Sequence, residues 1–320
     1  MKKFIEILPR IHRRSQLPVF FIPLLVLFIS CAAHAQSTGS RCLVVDKATQ
    51  ELTVFMQGKR VASYPVTLGI DPVSDKRKAF DFATPEGIYF VSYKKAVTRF
   101  HRTLGISYPG LADAEKALAA GTISVPQYRK IRDAALKSRP GPCNTGLGCG
   151  IAIHGGGVFR QFGENLERDW TEGCIALDNP EMEKLFAFCQ VGDAVVIFNS
   201  ANNLYALARP FSRMTVLDTD GLPLCAQGIC AYEARFTTSL GRMVVRITEG
   251  ALWSVQATVH AADNAHEILL VLSDRNADGR MSFQDSANGS LAEGRSPEEV
   301  YAMVRQAVVD ALASGSYREP

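Results

Sequence analysis

Hydrophobic positions fall into three regions along this chain. The first is a nearly unbroken apolar run from Leu17 to Ala33, preceded by basic residues. The second, reaching to about residue 210, consists of short β-prone runs separated by turns. LVVDKATQELTVF (43–55) places two apolar runs around a polar turn, which predicts a hairpin. Strands are also predicted for Arg60 to Gly69, Ile88 to Val91, Gly150 to His154 and Asp193 to Phe198. Residues 111–137 carry helical periodicity broken at Gly121, with Pro126 suited to a helix start after Ser124-Val125. Asn179-Pro180 opens a second helical stretch with Met182, Leu185, Phe186 and Cys189 on one face. Beyond Arg209-Pro210 come β-like runs at Arg235–Thr238, Met243–Thr248, Trp253–His260 and Glu267–Ser273. A terminal helix follows, with Ser296 and Glu299 as a capping box, Pro297 at its first position and Val300, Val304, Val308 and Leu312 as its apolar stripe. The expectation is a mainly β protein with α additions. It has two domains, 41–205 and a smaller β-rich 213–320, and no internal repeat.

Composition adds limits. With 47% hydrophobic and 21% charged residues, the chain is neither disordered nor fibrous. The formal charge of +3 is concentrated at the N-terminus, where Lys2, Lys3, Arg10, Arg13 and Arg14 face only Glu6. The remainder is close to neutral, which argues against a nucleic-acid partner. Basic residues, an apolar run interrupted by Pro23, and Ala33-His34-Ala35 as an A-x-A site have the layout of a secretory signal peptide over 1–35. The run is short for a membrane span. Cleavage before Gln36 would leave no membrane attachment and place the protein in an oxidising compartment.

That compartment gives the cysteines meaning. Removing Cys31 with the signal leaves Cys42, Cys143, Cys149, Cys174, Cys189, Cys225 and Cys230, an odd set. Cys143/Cys149 and Cys225/Cys230 each bracket a short loop and are expected to pair locally. Cys42 and Cys189 either form a third bridge or stay as buried thiols. Cys174 is left over.

The segments IAIHGGG (151–157) and DWTEGCIALDN (169–179) carry the densest chemistry. His154 ends an apolar strand before three glycines, and Cys174 sits in a turn after Gly173. A thiol beside an imidazole supplies a nucleophile and its base. The N–H groups of Gly173 and Cys174 could receive an oxyanion. Spacing alone is equally compatible with a buried structural Cys and a strand-end His.

His154-Gly155 and Thr171-Glu172-Gly173-Cys174-Ile175 together resemble the motif pair of the YkuD-type L,D-transpeptidase catalytic domain. LVVDKATQELTVF, Tyr64 to Gly69 and ATPEGIY (83–89) extend the resemblance over about 41–200. It implies a β-sandwich catalytic domain acting on peptidoglycan stem peptides. Cys174 would be the nucleophile, His154 the base, and the carbonyl of Gly155 or a neighbour the group orienting the ring. No cofactor is implied for catalysis, and the setting would be periplasmic. The chain departs from the commonest form of the motif, carrying Glu172 where a second His would stand and Ala176 where an Arg would stand. The acceptor is therefore open. An amine would make the protein a transpeptidase, water would make it an L,D-carboxypeptidase, and loss of turnover would leave a peptidoglycan-binding protein. Trp170, Thr171 and Glu172 are candidate substrate contacts. The insert between Pro109 and Gly150 is expected to form a helical lid or wall. Oligomeric state is not legible.

One further motif lies in 274–285. Asp274, Asn276, Asp278, Arg280 (through its carbonyl), Ser282 and Asp285 occupy positions 1, 3, 5, 7, 9 and 12 of a calcium-type loop, with Gly279 at position 6. The loop makes Ca²⁺ a candidate ligand of the C-terminal domain.

Overall fold

The computed structural model describes residues 41–250, 253–260, 267–274, 282–288 and 294–315. The predicted hairpin is β1 (Arg41–Asp46) and β2 (Glu51–Met56), with β3 (Lys59–Pro65) added at its edge. β4 (Gly87–Thr98) and β5 (His101–Ile106) form a second hairpin. The insert then contributes α1 (Leu111–Ala119) and α2 (Val125–Ala135), the break falling around Gly121. β6 (Ala152–His154) is followed by a small separate hairpin, β7 (Arg160–Phe162) and β8 (Asn165–Glu167). Next come β9 (Ile175–Ala176), α3 (Asn179–Phe188) and β10 (Ala194–Phe198). α4 (Leu204–Ala208) and a 3₁₀ turn over Arg209–Phe211 lead into β11 (Arg213–Met214), β12 (Cys230–Thr238), β13 (Gly241–Glu249) and β14 (Trp253–His260). β15 (Glu267–Asp274), β16 (Ser282–Asn288) and α5 (Pro297–Ala313) complete the order.

The strands form an eight-stranded mixed sheet, ordered β3-β2-β1-β10-β4-β5-β6-β9, and a six-stranded antiparallel sheet running β11 to β16 in sequence order. The first sheet is apolar on both faces where β1 and β10 meet in parallel. Leu43, Val45, Val195 and Ile197 join a core with Leu52, Tyr108, Tyr128, Ile131 and Ile153. The alternate residues Cys42, Val44, Val196 and Phe198 join a different core with Tyr232, Val245, Val255, Val304 and Leu312. The continuous apolar runs of these two strands follow from burial on both sides. Two thirds of the second core comes from beyond residue 210, so the second sheet and α5 cover the back of the first sheet, and residues 39–320 make one compact unit.

The insert is fastened to the same cover. Glu115 of α1 is buried and accepts from Arg213 Nε at 3.0 Å and Nη2 at 2.7 Å, and from the Met214 N–H at 3.0 Å. Both local disulfides are present, Cys143–Cys149 and Cys225–Cys230. Cys42 and Cys189 are free and buried in different cores, which separates them. Burial pushes their thiols up to about 11 and about 12, well out of the reactive range.

The strand expected to run to Gly69 ends at Pro65, and β5, β7, β8 and β16 were not anticipated. The calcium-type loop joins β15 to β16, which pair antiparallel. Asp274 ends β15, Ser282 and Asp285 lie on β16, and Asn276, Asp278 and Arg280 are outside the described residues. So is the apolar segment 17–33. No helix among the described residues is long and apolar enough to cross a membrane.

Leu312 is fully buried in the core shared by the two sheets. Leu312→Ala is expected to cost about 2–5 kcal/mol. Because that core is shared, urea unfolding should show one transition moving as a whole, followed in parallel by far-UV circular dichroism and by fluorescence.

Candidate active site

β6 and β9 run parallel, pairing Ile153 with Ile175 and His154 with Ala176. That register sets the Cys174 turn, which immediately precedes β9, alongside the strand that carries the histidine. The Cys174 sulfur lies 3.7 Å from the Gly150 carbonyl and accepts from the Ala152 N–H. The residues that follow the Cys143–Cys149 loop thus bring backbone groups to the sulfur. The insert helices themselves do not form the expected wall there. Ala114, Ala117, Tyr128 and Ile131 instead commit α1 and α2 to the core.

The turn is shaped by an unusually close approach of three backbones. Gly173 has φ +115°, and a Cβ there would stand 2.5 Å from the Ala83 carbonyl oxygen. A Cβ on Gly69 would stand 2.0 Å from the Phe82 carbonyl oxygen and 3.0 Å from Gly173 Cα. Only glycine fits at either place. Thr84 reinforces the contact, its hydroxyl accepting from the Gly69 N–H at 3.0 Å. Thr171, buried, closes the turn from within: its hydroxyl donates to the Cys174 carbonyl at 2.6 Å and accepts from the Gly173 N–H at 3.2 Å. The Gly173 N–H, expected as an oxyanion donor, is therefore already engaged. Thr171 is a strut of the turn rather than a surface for substrate.

His154 is buried, and its Nδ1 lies 2.6 Å from the Gly155 carbonyl oxygen. A carbonyl only accepts, so Nδ1 carries the proton and Nε2 is left as the basic nitrogen. The imidazole stacks on Phe100 with centroids 4.5 Å apart and planes 17° apart, and Trp170 lies 5.8 Å away. Trp170 Nε1–H donates to the Gly157 carbonyl at 3.2 Å, so this ring is packed and anchored. Asn179 Oδ1 accepts from the Gly156 N–H and Asp178 Oδ1 from the Val158 N–H, each at 2.9 Å. The residues following the cysteine strand thereby pin the glycines following the histidine.

Asp169 does comparable work on the other side. It accepts from Gln50 Nε2, the Thr67 hydroxyl and the Leu68 N–H, fastening the start of the cysteine segment to 67–68. Sequence reading missed Asp169, Arg99 and Arg160; Asp169 is signalled only by adjacency to Trp170. Lys76, the first of three consecutive basic residues, is buried and paired with Asp81 at 2.6 Å. His101 is at the surface, paired with Glu183 at 2.7 Å.

Burial dominates the electrostatics. It raises the Cys174 thiol above its ordinary value, and exposed Glu172 adds to the rise. The Ala152 N–H, Lys76 and Arg99 oppose it. Burial also lowers the His154 imidazolium, helped by Arg99 and Arg160, while the Gly155 carbonyl resists. Both shifts favour neutral thiol and neutral imidazole over an ion pair. Arg160 lies 4.6 Å above the Trp170 ring and Arg99 4.6 Å above Phe100, so cations ride on the aromatic wall beside the imidazole. Ala176 is fully buried in β9. Among the described residues no group of three or more His, Cys, Asp or Glu is placed to hold a metal.

Residues 40–197 match the family model of the YkuD L,D-transpeptidase catalytic domain. No curated protein matches the sequence. Among solved structures, an L,D-transpeptidase from Xylanimonas cellulosilytica is 14% identical, with a TM-score of 0.30 over 51% of this chain and 62% of that one. One from Mycobacterium smegmatis is 13% identical, TM-score 0.30, over 50% and 58%. The catalytic domain of the Enterococcus faecium L,D-transpeptidase, acylated by ertapenem, is 15% identical, TM-score 0.30, over 50% and 98%. The chain spans about 60% of the length of the first two. On the family match, residues 40–197, just under half of the chain, are an L,D-transpeptidase catalytic domain of the YkuD type.

Proposed function

We propose that the protein is a secreted, periplasmic peptidoglycan L,D-transpeptidase with Cys174 as nucleophile and His154 as base. The observation that carries this reading is the Nδ1 contact to Gly155, which leaves His154 Nε2 basic on the strand paired with the cysteine segment. Nε2 takes the thiol proton as sulfur attacks the carbonyl preceding a terminal D-residue of a stem peptide. The carbonyl oxygen gains the negative charge, received by the Cys174 N–H. The C–N bond breaks, the proton passes to the departing amine, and a thioester remains. An acceptor amine gives up a proton, attacks the thioester and returns the thiol. The neutral resting pair means the proton moves during attack. The thiolate is not stored beforehand.

Incubation with a disaccharide-tetrapeptide, followed by mass spectrometry, tests the reading. A cross-linked dimer with released D-residue is the expected product. Tripeptide with free D-residue would mean that water is the acceptor, and an unchanged substrate would sink the enzyme reading. Cys174→Ala should abolish product and also thioester formation with ertapenem. His154→Ala should lower the rate by about 10²–10⁴-fold.

The pH profile follows from the shifts. His154 must be neutral to act, and its value is lowered, so the acid limb should lie below the ordinary imidazole range near pH 6.5. Cys174 is raised, so alkylation by iodoacetamide should be slow at pH 7 and climb through the alkaline range beyond an ordinary thiol. Glu172→Gln removes one of the groups that raise it and should shift that climb to lower pH. A profile with its acid limb above pH 7 would contradict this assignment.

The calcium-type loop is proposed as a weak Ca²⁺ site, in roughly the 10⁻⁴–10⁻³ M range of extracellular modules. Millimolar calcium should raise the melting temperature, because only the folded loop gathers its oxygens. An unmoved melting curve in differential scanning calorimetry would show the loop to be merely acidic.

A further inference from the structure

A cavity of about 740 Å³ lies on the far side of the 71–86 loop from the nucleophile turn. Its other walls are α1, α4 with the following 3₁₀ turn, and Glu249 of β13. Neither Cys174 nor His154 lines it. It shares a partition with the catalytic turn all the same, since Ala83 lines the cavity while its carbonyl abuts Gly173.

Two cationic atoms in this lining are buried and have no hydrogen-bond partner: Lys116 Nζ and Arg209 Nη1. Arg209 is held rigidly. Its Nη2 donates to Glu249 at 2.8 Å, its Nε is paired to the same carboxylate, and its guanidinium lies 3.8 Å over the Tyr232 ring. One edge of the fork is therefore oriented and unmet. The nearby carboxylates are already committed. Asp113 accepts from Tyr89 and from the Gly110 N–H, Asp75 from the Glu86 N–H, and Glu86 from Lys47. A buried donor without an acceptor costs about 1–3 kcal/mol, more when charged. Two of them in one cavity of ligand size mark a place for an acceptor group.

The surrounding charge narrows the class. Asp75, Glu86, Asp113 and Glu249 line the cavity, and so do Lys76, Arg77 and Lys78, so the wall carries both signs of charge. A monoanion that brings its own cation matches both signs. Burial pushes the Asp113 carboxyl up to about 7 and the Lys116 ammonium down to about 8.

We propose that this cavity binds a short zwitterionic peptide, its C-terminal carboxylate on Lys116 Nζ and Arg209 Nη1 and its N-terminal ammonium toward the carboxylates of the lining. The site is separate from the acyl-transfer centre, and its occupancy can be read without turnover.

Isothermal titration of tri-alanine into the full chain carrying Cys174→Ala tests it. Saturable binding is expected, weakened at least about tenfold when the peptide is N-acetylated or C-amidated, with inorganic phosphate failing to compete. Lys116→Met should weaken binding about tenfold or more, and Lys116→Arg should restore part of it. No saturation up to roughly 10 mM, equal binding of the blocked peptides, or competition by equimolar phosphate would each overturn the proposal. So would undiminished binding by Lys116→Met with native melting. The blocked peptides keep the test decisive if Lys116→Met does not fold. Because no acyl transfer is measured, failure here leaves the transpeptidase reading standing, and failure of that reading leaves this one standing.

Discussion

The structure depends on two strands that have no solvent face. β1 and β10 pair in parallel at the centre of the first sheet, and successive residues of each enter different cores. A sheet buried on one side could have left alternate positions polar. Here Cys42, Val44, Val196 and Phe198 require a cover, and the second sheet and α5 supply it. At about 25 cal/mol per Å² of apolar surface, removing that cover would expose several large side chains at once. The segment beyond residue 210 is thus a structural partner of the catalytic sheet. Its attachment through Glu115 and Arg213 extends the same cover to the insert.

From that rigid centre the geometry passes outward to the site. β10 pairs with β4, β4 with β5, β5 with β6 and β6 with β9, so the histidine and cysteine segments end a ladder anchored in the doubly buried strands. The last step is held by contacts too close to tolerate side chains, at Gly69, Gly173 and the 82–83 carbonyls. Thr171, Asp169, Asp178 and Asn179 then absorb the backbone groups that such a turn leaves over. Each holds in place a segment on which the proposed nucleophile or base depends.

Much of this was legible in the sequence, and for definite reasons. The 43–55 hairpin, the break near Gly121, the capping box at Ser296 and both short-loop disulfides announce themselves through local chemistry, and local chemistry suffices for them. Cys174 and His154 stand out through the resemblance of their two segments to the family's motif pair, since spacing alone fits structural roles equally well. β5 and the β7–β8 hairpin were illegible: HRTLGI and the exposed RQF and NLE lack an alternating apolar pattern, and their pairing is supplied by neighbours. The burial of Lys76 is not legible either: a basic run normally points to water, whereas Asp81, five residues on, lets this lysine be buried. Asp169 and Arg160 act through partners distant in the chain, which one-dimensional spacing does not display.

Charge placement around the imidazole is the least conventional part of the arrangement. The commonest motif of the family carries an Arg two residues after the cysteine; here that position is Ala176, fully buried and paired against His154. A guanidinium there would have to be desolvated within the sheet. Positive charge is supplied instead by Arg99 and Arg160, which rest on Phe100 and Trp170 and so need no carboxylate beside the base. A carboxylate in that place would stabilise the imidazolium; arginines on rings do the reverse and keep His154 neutral. The aromatic wall therefore has two physical roles at once. It buries the imidazole, and it carries cations whose field adds to burial in opposing protonation of the proposed base.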